Sequence, residues 1–175
     1  MKTIRFIYLL LLIPLMCFPN MISAQTAEGF FEKALEKQNN NLFELAIDDY
    51  SNAIKLDPKY EGAFLNRGVC YYELKKMGKA IEDYNKVIEL NSTYPAVHLN
   101  RALAKIAISD YEGALADLNV VISQNKEIKL LAFEYYQRAE VYIKLGKNNE
   151  ACLDISKAKE LGYEITDDAF IKLCK

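Results

Sequence analysis

The chain has 175 residues, half of them apolar and a quarter charged, with 22 basic residues against 24 acidic ones. This balance allows a buried core and excludes a disordered or collagen-like chain. The net charge of −2 and the lack of a basic cluster in the sequence argue against nucleic acid as a partner.

Residues 1–24 have the three-part pattern of a secretory signal peptide. Lys2 and Arg5 form a positive start, an unbroken apolar run covers residues 6–13, and Ala24 ends a small-residue exit. We expect cleavage after Ala24. The mature chain would then have a net charge of −4 and would be periplasmic, attached to the cell surface or secreted.

Two other fates of this leader are less favoured. Pro14 interrupts the apolar run before it reaches the roughly 20 residues of a membrane-spanning helix, which argues against an uncleaved anchor. Met16 stands before Cys17, where lipid-attachment signals carry a small residue. We therefore expect no membrane span after cleavage.

Hydrophobic periodicity and turn residues predict eight helices after the leader, arranged in four pairs. Asp110 and Asn148 are the predicted N-caps of two of them. Residues 166–174 predict a short ninth helix. The predicted pairs cover residues 27–39 with 43–56, 61–75 with 78–90, 95–108 with 111–124, and 129–145 with 148–161.

A short motif that begins with alanine repeats along these helices. Its alanines recur at intervals of 34, 34 and 37 residues, and a small residue stands 12 places before each. A small residue on each helix lets the two helices of a unit approach closely. The alanines are Ala46, Ala80, Ala114 and Ala151, and the preceding small residues are Ala34, Gly68, Ala102 and Ala139.

On these residues the chain resembles the tetratricopeptide repeat (TPR) family over nearly all of its mature length. The resemblance implies an all-α fold, a right-handed superhelix or α-solenoid of about four helix-turn-helix units. Lys37 departs from the family pattern, which usually has tyrosine or leucine there. The expected division is residues 25–161 for the units (27–60, 61–94, 95–128 and 129–162) and 163–175 for a C-terminal capping helix.

The same resemblance implies a concave inner wall, built mainly from the first helix of each unit, that binds a protein or peptide segment. Most aliphatic side chains on it are expected to pack against neighbouring helices. A clamp for acidic chaperone tails is not expected, because Phe31 and Leu35 stand where it would need lysine and asparagine. The candidate groove residues are Phe31, Asn66, Tyr72, Asn100, Ile106, Tyr136 and Gln137.

Charged residues recur as regularly as the alanines. An aspartate follows each alanine by three places, and an arginine recurs in the first helices of units two to four. We predict that they pair and set the register of the helices rather than bind a ligand. The residues are Asp49, Asp83, Asp117 and Asp154, with Arg67, Arg101 and Arg138.

The mature chain has three cysteines, so at most one internal disulfide can form. We predict a bridge between Cys152 in the last helix and Cys174 in the tail, because the tail is expected to fold back on that helix. Cys70 is expected to be a buried apolar residue.

Signatures of catalysis and of metal or cofactor binding are missing from the sequence. His98, the single histidine, is expected at an exposed helix start. The sequence contains no phosphate-binding loop, no serine nucleophile elbow and no zinc spacing of cysteines. We expect a non-enzymatic adaptor without a cofactor; the alternative is a structural module that assembles into an envelope or secreted complex through its convex face or ends.

Overall fold

The computed structural model describes residues 26–91, 95–124, 131–166 and 172–174. These ranges contain eight α-helices and no strand. The helices are α1 (Ala27–Asn39), α2 (Phe43–Leu56), α3 (Glu61–Glu73), α4 (Met77–Leu90), α5 (Pro95–Ala107), α6 (Tyr111–Gln124), α7 (Ala132–Lys144) and α8 (Asn148–Glu160). The predicted helix limits are therefore correct to within three residues.

The turn inside each pair has the same backbone design. One residue adopts a left-handed conformation: Asn41, Lys75, Ser109 or Gly146, with φ between 58° and 72°. The next amide donates to the carbonyl five residues earlier, as from Leu42 to Lys37 at 2.9 Å and from Lys147 to Tyr142 at 2.8 Å. This bonding pattern ends the first helix and turns the chain into the second.

The N-caps agree only in part with the prediction. Asp110 accepts a hydrogen bond from the amide of Gly113 at 3.0 Å and so caps α6 as predicted. Asn148 is the first residue of α8, and Lys147 occupies the cap position without a side-chain hydrogen bond. The prediction for Asn148 was therefore wrong.

The small residues lie where the paired helices cross. The repeated alanines are fully buried, as are Ala34, Ala102 and Ala139. Gly68 has the strictest requirement, since a Cβ there would stand 2.6 Å from Cε1 of Tyr84. The bulky residues that fill the space beside each crossing are Tyr50, Tyr84, Leu118 and Ile155.

Each second helix packs against the first helix of its own unit and against the first helix of the next. The pairs α2 with α3, α4 with α5 and α6 with α7 join successive units, and α1 touches α3 as α3 touches α5. Four hydrophobic clusters therefore follow one another along the chain. This arrangement is a helical solenoid.

Two predictions on the chain ends fall mostly outside the described residues. The signal peptide at residues 1–24 lies outside them entirely. Of the capping helix, the structure describes residues 163–166, which are not helical, and 172–174, of which the first two are helical. Among the described helices, none has both the length and the apolar character needed to cross a membrane.

Candidate protein-binding surface

Arginine–aspartate pairs join the two helices of units two to four, as predicted. Arg67 donates to both carboxylate oxygens of Asp83, at 2.8 and 2.7 Å. Arg138 binds Asp154 in the same two-pronged way, at 2.7 and 2.8 Å. Arg101 and Asp117 form the equivalent pair in unit three. The aspartates are buried, so these pairs are internal to the solenoid.

Each arginine also reaches the preceding unit, a contact that the sequence analysis missed. Its Nη1 donates to a short polar side chain on the second helix of that unit. The acceptors are Ser51 at 3.0 Å, Asn85 at 2.6 Å and Asn119 at 2.8 Å. The signal was present in the sequence, because these three residues are spaced 34 apart.

In unit one the repeated aspartate is bound by a lysine from another position of the first helix. Lys37 donates to Asp49, and Lys105 at the equivalent place in unit three donates to Asp117 at 2.8 Å. Units two and four have Tyr71 and Tyr142 at this place, each beneath the arginine of its unit. The departure at Lys37 therefore serves the same internal pairing.

His98 is buried, which corrects the expectation of an exposed helix start. The residue is 6% exposed, and its Nδ1 lies 3.3 Å from Oδ1 of Asp117. Phe64 and Tyr135 hold the same place in units two and four, where their rings cover the arginine. His98 thus occupies an aromatic position of the repeat and adds a polar contact to Asp117.

Asp117 is the most heavily bonded carboxylate in the described helices. Burial alone would raise the pKa of its carboxyl, but hydrogen bonds from Arg101, Lys105 and His98 outweigh burial and hold the pKa below its ordinary value. The basic side chains of α5 are therefore engaged inside the repeat.

Phe31 is a packing residue at the joint between units one and two. Its ring centroid lies 4.8 Å from that of Tyr60 and 5.6 Å from that of Tyr50. The ring also lies beside Gly62, 3.4 Å from where a Cβ would stand. Phe31 therefore helps to fill the joint between units one and two while staying half-buried, and its role in binding stays a prediction.

Four other predicted residues are half-buried on the first helices of units two and three. Asn66 on α3 donates to the carbonyl of Gly62 at 2.9 Å. Tyr72 packs against the core of unit two and lies beneath the ammonium of Lys75, 5.6 Å from its ring centroid. Asn100 and Ile106 lie on α5, where Ile106 packs against the core of unit three. Their role in binding stays a prediction.

The C-terminal tail covers the first helix of unit four. Tyr163 stacks on Tyr136, with ring centroids 4.7 Å apart, and lies 6.4 Å from Phe133. Ile165 packs against the core of the same unit. The ring of Tyr136, predicted as an open groove residue, is therefore covered by the chain itself.

Gln137 bonds within its own helix, because its Nε2 donates to Glu140 at 3.1 Å. The hydroxyl of Tyr136 points to the other oxygen of Glu140 at 3.4 Å. Both predicted residues are thus tied to Glu140 on α7.

A disulfide joins Cys152 on α8 to Cys174 in the tail, with Cα atoms 5.3 Å apart. The bridge fastens the tail to the last helix pair. Cys70 is a buried free thiol, and burial raises its pKa to about 11, so it stays protonated near neutral pH.

A cavity of about 240 Å³ opens between the start of α3 and the end of α4, lined by Glu61, Gly62, Leu65, Val87 and Asn91. It lies one repeat beyond Phe31, since Leu65 occupies the equivalent place in unit two. Among the described residues no group of three or more histidine, cysteine or acidic side chains is placed to hold a metal ion.

Two family models described as tetratricopeptide repeat match residues 62–94 and 135–161, and a third, described as TPR repeat, matches residues 39–75. The chain contains tetratricopeptide repeats. No curated protein sequence matches it.

Solved TPR structures share the fold. A crystal structure of MamA superposes with a TM-score of 0.73 at 22% identity, covering 84% of this chain and 76% of that one. MamA from Desulfovibrio magneticus superposes with a TM-score of 0.70 at 15% identity, covering 77% of this chain and 75% of that one. The first TPR of Spaghetti (RPAP3), bound to the HSP90 peptide SRMEEVD, superposes with a TM-score of 0.63 at 25% identity. The match covers 70% of this chain and 95% of that one. The two likenesses to MamA concern the fold alone.

Proposed function

We propose that the protein is an exported, non-enzymatic adaptor that holds a peptide or protein segment against the inner wall of its TPR units. The observation that carries this proposal is the position of the tail. In its non-helical residues 163–166, Tyr163 stacks on Tyr136 of α7 and Ile165 packs against the core of unit four, so the wall of one unit already holds a segment of polypeptide. The equivalent walls of units two and three, on α3 and α5, are then the place for a partner.

The RPAP3 structure supports protein binding by this fold, but not the same ligand. Its peptide carries three acidic residues. Here the basic side chains of α3 and α5 are paired internally with Asp83 and Asp117, and an acidic tail would find no free cation there. We therefore do not propose a chaperone tail as the partner.

Export is supported by two features. The leader has the pattern of a signal peptide, and a disulfide between Cys152 and Cys174 is typical of proteins that fold in an oxidising compartment. The proposed location is the periplasm, the cell surface or the outside medium.

A positional-scanning library of decapeptides tests the adaptor function on the protein beginning at Gln25. We expect the wild type to select particular residues, and Tyr72→Ala with Asn100→Ala to weaken that binding by about tenfold, because side chains of a binding surface contribute unequally and a few dominate. Leu153→Ser on α8 is the control, and melting curves establish that each variant is folded. Binding unchanged in the double variant would contradict the proposal.

A structural role in a larger assembly is the second candidate. It is favoured by exposed aliphatic side chains on the second helices, Leu45 at 49% and Leu153 at 71%, since exposed apolar groups can mark contact surfaces. Under this alternative Leu153→Ser reduces the oligomer size measured by size-exclusion chromatography, whereas the Tyr72 and Asn100 variant does not.

A further inference from the structure

We propose that the cavity between α3 and α4 is a subsite for one lysine or arginine side chain of the bound peptide. The inference rests on the adaptor function proposed above and names the chemistry of its partner.

The shape of the cavity suits a long side chain. Its volume of about 240 Å³ is several times the roughly 30 Å³ that one water molecule occupies in the liquid. Gly62, Leu65 and Val87 supply apolar walls, while Glu61 and Asn91 supply polar atoms. Lysine and arginine combine an apolar stem with a charged head, which matches this division.

Two residues of this joint leave side-chain volume out of it. One unit earlier the ring of Phe31 fills the joint and packs on Tyr60. Leu65 stands at the equivalent place and lacks the ring. Gly62, which lines the same cavity, adds no side chain to it. A Leu65→Phe substitution would therefore fill the cavity with a side chain that the solenoid already accommodates elsewhere.

The charge at the cavity is negative. Glu61 accepts a hydrogen bond from Nδ2 of Asn91 at 3.2 Å through Oε2, and a carboxylate has acceptor capacity beyond a single bond. The last turn of α4, which includes Val87, contains no basic residue. The end of α4 attracts a cation through its helix dipole, whereas the start of α3 has the opposite partial charge. The carboxylate of Glu61 is therefore the feature that favours a positively charged head group.

The cations of α3, α4 and α5 contact groups other than Glu61. On α4, Lys86 binds Glu89 and Lys79 lies over the ring of Tyr71. Arg67 is the one basic residue of α3, and it is held by Asp83. His98, Arg101 and Lys105 are the basic residues of α5, and all three contact Asp117. The carboxylate of Glu61 is therefore available to a cation that a partner brings.

The test uses the same decapeptide library with the protein beginning at Gln25. We expect the wild type to prefer lysine or arginine over norleucine and glutamate at one peptide position by about fivefold to tenfold, or about 1 to 1.4 kcal/mol. Glu61→Gln should abolish that preference while aliphatic selection at other positions remains. Leu65→Phe should abolish it by filling the cavity. Glu73→Gln, an exposed carboxylate at the other end of α3, is the matched control and should keep it.

The outcomes separate this inference from the adaptor function. If Glu61→Gln keeps the wild-type preference, or if glutamate is preferred, the cation subsite is wrong while peptide selection by the inner wall still stands. If the wild type selects no peptide at all, the adaptor function fails as well. Melting curves of Glu61→Gln and Leu65→Phe that match the wild type exclude loss of folding as the cause.

Discussion

At the scale of single residues, the repeated arginines hold the solenoid in register. Arg138 joins Asp154 of its own unit to Asn119 of the preceding one, so one side chain fixes three helices. Removing one partner of a buried ion pair is costly because the remaining charge has lost its compensation. The size of this cost depends on what else binds the aspartate.

Arg138→Ala and Arg101→Ala should therefore differ. We expect Arg138→Ala to lower the free energy of unfolding by about 3 kcal/mol, since Asp154 loses its arginine. Arg101→Ala should cost less, because Lys105 still donates to Asp117 at 2.8 Å. Urea denaturation measures both. Peptide affinity should change less than stability in either variant, and an unchanged stability with lost binding would reassign the arginine to the ligand site.

At the scale of the elements, the tail takes the place that the first helix of a further unit would occupy. Exposed apolar faces at the ends of a repeat array need such cover. Tyr163 stacks on Tyr136, and at the first joint the tilted ring of Tyr60 packs on Phe31 at a similar centroid distance, 4.8 Å against 4.7 Å. The disulfide keeps this short segment in place without a full helix pair.

Loss of the bridge should destabilise the end of the array. The double variant Cys152→Ser and Cys174→Ser is expected to lose about 3 kcal/mol, the chain-entropy value for closing a loop of this length. Thermal unfolding with and without a dithiol reductant measures the effect. Cys70→Ala, which leaves the bridge intact, should respond to the reductant as the wild type does. Equal melting of oxidised and reduced wild type would contradict this role.

At the scale of the whole molecule, stability is the sum of the units and their joints. The joint between units three and four contains an unfavourable group. Glu134 stands where the other units have Gly29, Ala63 and Val97, all buried. Its Oε2 is buried and has no hydrogen-bond partner among the described residues, and burial raises the pKa of its carboxyl.

Glu134→Val should therefore stabilise the array by about 1 to 3 kcal/mol at neutral pH, the cost of a buried unpaired polar group. The sign of the pH dependence follows from the raised pKa. The Glu134 carboxyl binds a proton more readily in the folded state than in the unfolded state. Its destabilising effect therefore decreases as the pH falls through its folded pKa. Unfolding measured at pH 7 and at pH 4.5 should show the advantage of the variant shrinking at the lower pH. A stability difference between Glu134→Val and the wild type that is the same at both pH values would contradict this prediction.

Much of the fold could be predicted from the sequence because its signals are local and periodic. The 34-residue interval of small residues located the helix pairs, and the recurrent charges located the arginine–aspartate pairs. The exposure of His98 was predicted wrongly because the prediction considered only its residue type. The aromatic residues Phe64 and Tyr135 at the equivalent positions of the repeat indicate a buried position.

The tertiary structure decided which side chains of the inner wall are open. The accessibility of these side chains depends on what packs against them. Tyr60 of the next unit covers Phe31, and Tyr163 of the tail covers Tyr136. Leu65 instead lines a cavity. The helical period of a segment is set by its own residues. The exposure of a side chain at a joint is set by a neighbour about 30 residues away, and the packing between them exists only in the folded chain.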